Sequence, residues 1–144
     1  MKRIAAYGSL RKGFHNHRWL GEQANFLEYT TVKGAMLLRS GSYPLLFKPE
    51  EAPENTTIQE HKIEIYEVDE KLFNRISTIE YASGYKAETF EHPDETITDA
   101  IIFWADPQRA KVDQFDKPID AYTTDIYKTK RDFNRIQDED KDNN

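Results

Sequence analysis

The chain has no cysteine in 144 residues, which excludes disulfides, thiolate catalysis and cysteine-ligated metal. No apolar run approaches the roughly 18 residues of a membrane-spanning helix. The apolar stretch within MKRIAAYGSL is too short for the core of a secretory signal, so a cytoplasmic location is the default expectation. Positive charge is in deficit: 20 Lys and Arg stand against 26 Asp and Glu, for a net charge of -6. That balance argues against a dedicated nucleic-acid binder, which needs a basic face. His15, His17, His61 and His92 offer no i,i+4 ligand pair, so no metal site is expected.

What is present suffices for a core. Hydrophobic residues make up 38% and aromatics 12%, enough to offset 32% charged residues and to place residues 1–137 in one domain. The closing DEDKDNN, residues 138–144, has no apolar residue and reads as a frayed acidic tail. Residues 48–57 hold two prolines and three glutamates and read as an acidic surface loop. Both acidic segments read as solvated surface, though such a loop can also contact a basic partner protein.

Between these segments the pattern is mostly strand. RIAAY opens it, followed by a short helical piece over Phe14–Leu20. FLEYTTVKGAMLL (26–38) is β-branched and aromatic, with Gly34 expected as a bulge or bend. YPLLF, HKIEIYEV, YKAETFEH and TDAIIFWA complete the set of strands. One segment breaks the rhythm: Leu72, Phe73, Ile76 and Ile79 recur at helical spacing behind Asp69, which is placed as the N-cap. A second helical pattern runs through Ile119, Tyr122, Ile126, Phe133 and Ile136. Many strands with one or two helices predict the α+β class, with a mixed, mostly antiparallel sheet curled into a small barrel flanked by helices.

Glu80 falls four residues after Ile76 and seven after Phe73, on the stripe that should face the core. A carboxylate there is costly unless it is hydrogen-bonded, paired or kept neutral. Either the helix stops short and the side chain swings into water, or Glu80 is an acid or base tuned by burial. Ser83-Gly84 then form a turn, and Tyr85 begins the next strand.

Tyr7-Gly8-Ser9-Leu10 ends the first strand in bare backbone and a hydroxyl. Its N–H groups can cradle an anion, or the stretch is merely a turn. It is not a P-loop, because Phe14 stands where the lysine belongs, and it is not a G-x-S-x-G elbow. Ser9 as a nucleophile would need a histidine base, and nothing brings His15 into reach. The basic stretch Arg11–Arg18 reads as a solvated face or as a positive rim beside a pocket for an acidic ligand. Trp19 and Trp104 read as core or pocket wall rather than as platforms for bases.

Taken in order, the strand, YGSL, VKGAMLL, GSYPLLF, IEIYEV, the helix with Glu80 and GYKAE resemble the gamma-glutamylcyclotransferase-like superfamily. The similarity is to its AIG2-like and YtfP-like branch, over residues 2–106. The resemblance implies a compact β-barrel flanked by helices, without metal or organic cofactor. It also implies cyclisation of a gamma-glutamyl amine or peptide to 5-oxoproline with release of the amine. Tyr7, Gly8, Ser9 and Leu10 match the substrate-cradling loop, Glu80 the catalytic glutamate, and Tyr85 and Tyr43 the substrate-binding tyrosines. The implied partner is a small gamma-glutamyl compound, with no nucleic acid and no membrane. The chain departs from the pattern at Tyr81, commonly Gly; at Ala87, often Arg; at Phe103, often Tyr; and at Lys62-Ile63-Glu64, where Gly-Glu is usual. Those departures motivate a second reading, a binding or interaction protein that keeps the fold and its cavity without turnover.

Overall fold

The computed structural model describes residues 1–12, 14–21, 23–39, 43–91, 99–113 and 116–123, with backbone alone for residues 15 and 16. The described chain folds as seven strands and one α-helix. The strands are β1 (Lys2–Ala6), β2 (Asn25–Arg39), β3 (Tyr43–Phe47), β4 (Gln59–Val68), β5 (Tyr85–Thr89), β6 (Ala100–Ala105) and β7 (Lys117–Ile119). The helix, α1, spans Glu70–Ala82, and short 3-10 turns lie at His15–Trp19 and Pro49–Glu51.

The sheet runs β3-β2-β4-β1-β6-β5, with β7 paired to the far half of β2. Every pairing is antiparallel except β1 with β6. The α+β class and the mixed, mostly antiparallel sheet are as expected. The barrel closure is not: among the described residues the sheet is open, its path ending at β3 and β5. Pro44 in β3 has no N–H to donate to a further ladder. Side chains cross the gap instead. Tyr85 donates to the carbonyl of Pro44 at 2.5 Å, Lys48 reaches Glu88 at 2.5 Å, and Lys86 reaches Glu51 at 2.8 Å.

β2 serves both walls. Residues Asn25–Gly34 pair with β4, and Ala35–Arg39 with β3. Gly34 stands at the change of partner, where an added Cβ would lie 2.6 Å from the carbonyl oxygen of Phe47. It is therefore the bend, while the irregularity in pairing falls earlier, between Phe26 and Glu28. Ile4, Leu45, Leu46, Phe47, Ile63, Ile65 and Ile102 form the centre of the core, each at most 1% exposed.

Helix α1 begins as the sequence predicts, with the Asp69 side chain accepting from the N–H of Leu72 at 2.7 Å. The second helical pattern is corrected at its start. Ile119 lies in β7 opposite Met36, because tertiary pairing outweighs a weak periodicity there. Ile126, Phe133, Ile136 and the acidic tail lie outside the described residues, as does His92.

Candidate active site

Helix α1 continues two residues beyond Glu80, so the carboxylate stays on the inward stripe instead of swinging out at a helix end. The chain then turns through Gly84, whose φ of +97° is the left-handed conformation that ends helices. An added Cβ at Gly84 would meet that of Ala110 at 3.1 Å. Arg109 braces this turn by donating to the carbonyl oxygens of Tyr81 and Tyr85. The result is that Tyr85 enters β5 facing back toward Glu80.

A cavity of 310 Å³ opens between the end of β1, the start of β3, the last turn of α1 and the start of β5. Tyr7, Gly8, Ser9, Leu10, Tyr43, Glu80 and Tyr85 all line it. The seven residues singled out from sequence thus meet at one place. Ile4, Ala5, Ala6, Pro44, Ile79, Ser83 and Phe103 complete the wall. Among the lining residues, Glu80 carries the only formal charge.

The electrostatics follow from that isolation. The carboxyl of Glu80 is shielded by protein although the residue as a whole keeps intermediate exposure, and desolvation raises its pKa to about 7. Burial also pushes the phenols of Tyr7 and Tyr85 well above their ordinary value, and the nearby negative charge of Glu80 adds to it. Both tyrosines remain neutral donors with fixed acceptors: Tyr7 to the carbonyl of Phe103 at 2.6 Å, and Tyr85 to that of Pro44. They are therefore rigid walls. Tyr43, 38% exposed, sits at the rim.

The YGSL turn is held from behind. Gly8 packs against Pro44, and an added Cβ would approach its Cγ to 3.1 Å. The carbonyl of Gly8 accepts from the backbone N–H of Arg11 at 3.1 Å and from its Nε at 3.3 Å. Arg11 lies over Phe14, also donates to the carbonyl of Tyr122, and is 8% exposed. For this residue neither sequence reading holds, because its charge is spent inside the protein fixing the turn. Desolvation lowers its pKa while Glu64 opposes the shift. Glu64 in turn accepts from the N–H of Lys12 at 2.8 Å and from the phenol of Tyr66 at 2.7 Å.

Glu64, Arg109 and Ser83 were not singled out from sequence as site residues, and Arg11 only as part of a basic stretch. A signal existed for Glu64, a charge inside the apolar run of β4. Alternation alone assigns it to solvent, whereas β4 is covered on both faces.

The departures from the family pattern separate. Tyr81 is 64% exposed and lies beneath the guanidinium of Arg109 at 3.8 Å, away from the cavity. Ala87 does not line the cavity either, whereas Phe103 does and leaves that wall apolar.

A family described as gamma-glutamyl cyclotransferase, AIG2-like, matches residues 4–125. A Pyrococcus horikoshii protein with the provisional name gamma-glutamylcyclotransferase is 37% identical over 86 residues, covering 58% of this chain and 64% of that one. A Methanocaldococcus jannaschii protein with the same provisional name is 34% identical over 85 residues, covering 59% and 66%. The chain thus spans just under two thirds of each relative. The solved structure of the Pyrococcus protein superimposes with a TM-score of 0.62 at 26% identity, over 92% of this chain and 98% of that one.

Proposed function

The chain belongs to the AIG2-like gamma-glutamyl cyclotransferase family, and we propose that it cyclises a gamma-glutamyl amine or peptide to 5-oxoproline, with Glu80 as general acid and base. One observation carries this reading: Glu80, its carboxyl pKa raised to about 7, lines the same cavity as Gly8, Ser9 and Leu10.

In the free-amine form of the substrate, the α-nitrogen bonds to the γ-carbonyl carbon and gives one proton to the Glu80 carboxylate. The bond from that carbon to the leaving nitrogen then breaks, and Glu80 returns the proton to the departing amine. A single group poised near neutrality serves both transfers. The YGSL turn offers backbone N–H groups for the substrate carboxylate or for the developing oxyanion. The walls fold the substrate so that amine and carbonyl meet, an effective-molarity contribution.

Of the three departures that motivate the non-catalytic reading, Tyr81 and Ala87 stand clear of the cavity and Phe103 lines it. The test is 5-oxoproline release from a panel of gamma-glutamyl amines and peptides. Replacing Glu80 by Gln should lower kcat/KM by about 10²–10⁴-fold. Equal turnover by both proteins removes Glu80 from the mechanism, and no release from any member removes the activity.

A further inference from the structure

Beside the main cavity lies a groove of 50 Å³, lined by Ser9, Leu10, Trp19, Ile76, Ile79 and Glu80. Ser9, Leu10, Ile79 and Glu80 are common to both spaces, so Glu80 stands where they meet. The two chambers differ in chemistry. The larger adds three tyrosines and the Gly8–Ser9 turn to an apolar wall, whereas the groove, among the described residues, is lined by four apolar side chains with Ser9 and Glu80. Trp19 and Ile79, which line the groove, are 41% and 38% exposed. Large apolar side chains left open beside the larger chamber mark a surface awaiting an apolar occupant.

We infer that this groove receives the substituent of the leaving amine, and that the favoured substituent is uncharged and apolar, a short alkyl chain or an aromatic ring. The inference rests on the cyclotransferase reading above. A group that takes a proton from the attacking nitrogen and returns it to the leaving one must reach both. Both nitrogens sit on the same carbon in the intermediate, and a carboxyl at the junction reaches them with the glutamyl head in one chamber and the amine substituent in the other. The glutamyl head is polar and needs hydrogen-bond partners, which fits it to the larger chamber, where the YGSL turn and Tyr43 stand. A substituent carrying its own carboxylate would lie against Leu10, Ile76 and Trp19 with no cation among the lining residues, beside the negative charge of Glu80. Apolar substituents carry no such penalty. Trp19 then acts in specificity, through the face it offers the departing group.

The experiment measures 5-oxoproline release from gamma-glutamyl methyl-, ethyl-, propyl-, butyl- and benzylamide and from gamma-glutamylglycine, by wild type, Trp19→Ala and Trp19→Phe. In the wild type kcat/KM should rise about fourfold per methylene until the groove is filled, and gamma-glutamylglycine should fall below the ethylamide. The rise should flatten in Trp19→Ala and return in Trp19→Phe. Turnover without any rise in the wild type overturns the groove assignment while leaving the cyclotransferase reading intact. No release from any substrate overturns both. Should Trp19→Ala fail to fold, the wild-type series decides alone.

Discussion

The phenol of Tyr85 donates to the carbonyl oxygen of Pro44 at 2.5 Å, and this bond joins β5 to β3, the two edges of the open sheet. Both residues line the cavity, so this contact fixes a wall of the candidate site and is one of three that bridge the gap behind it. Replacing Tyr85 by Phe keeps the ring and leaves a buried carbonyl without that donor, a loss of about 1–3 kcal/mol. Urea unfolding should register the loss, and KM for a gamma-glutamyl substrate should rise with it.

The raised pKa of Glu80 makes stability depend on pH in a definite sense. Below its ordinary value of 4.5 the group is neutral in both folded and unfolded chains and costs nothing. Between 4.5 and about 7 the unfolded chain ionises while the fold holds its proton, so stability falls as pH rises. Above that range the fold carries the whole penalty, up to about 3 kcal/mol before solvent screening in the open cavity reduces it. Glu80→Gln has no such group. Its melting temperature should therefore gain on the wild type from pH 5 to pH 8, and a constant difference across that range would contradict the assigned environment. The limb of kcat/KM that rises near pH 7 should vanish in the same variant.

Arg11 is expected to resist conservative replacement. Lysine keeps the charge but cannot reach the carbonyls of Gly8 and Tyr122 together while lying flat over Phe14. Arg11→Lys should cost about 1.5–3 kcal/mol in urea unfolding, the range for hydrogen bonds to a charged group. With the turn loosened, KM should increase more than kcat decreases.

How far the sequence speaks is clearest at this site. Glu80 was legible because helical periodicity is a local property: Phe73, Ile76 and Ile79 define a face, and a carboxylate on it stands out. β3 was legible to the residue, since YPLLF is bounded by turn-forming neighbours. The partnership of Arg11 with Tyr122 was not, because 111 positions separate them and only the completed fold brings them together. The open seam was equally hidden. Strand content predicts a curled sheet, but closure depends on whether one edge can donate to another, and that turned on Pro44 and on side chains crossing the gap.

Two glycines should respond differently to alanine. At Gly34 the new methyl would lie 2.6 Å from the carbonyl oxygen of Phe47 and 2.9 Å from Cδ1 of Leu46, so the bend of β2 must shift. The expected cost is about 1–3 kcal/mol, as for an overpacked core. At Gly8 the methyl meets the ring of Pro44, Cγ at 3.1 Å and Cδ at 3.6 Å, which yields within a few tenths of an ångström. Gly8→Ala should leave the melting temperature nearly unchanged and raise KM by narrowing the cavity. Thermal melts and initial rates on both variants separate the two effects.

The position of β1 has a consequence for the order in which the molecule is made. Ile4 pairs with Tyr66 on one side and with Ile101 on the other, so β1, which leaves the ribosome ahead of both partners, gains its last neighbour only after β6 has emerged. Contacts so distant in sequence form slowly and leave their segments waiting. The YGSL turn, attached to that waiting strand, has no fixed geometry until both flanking ladders are in place. A ligand for the cavity is thus a ligand of the finished chain alone, and a nascent chain stopped before β6 should carry the motif without the site.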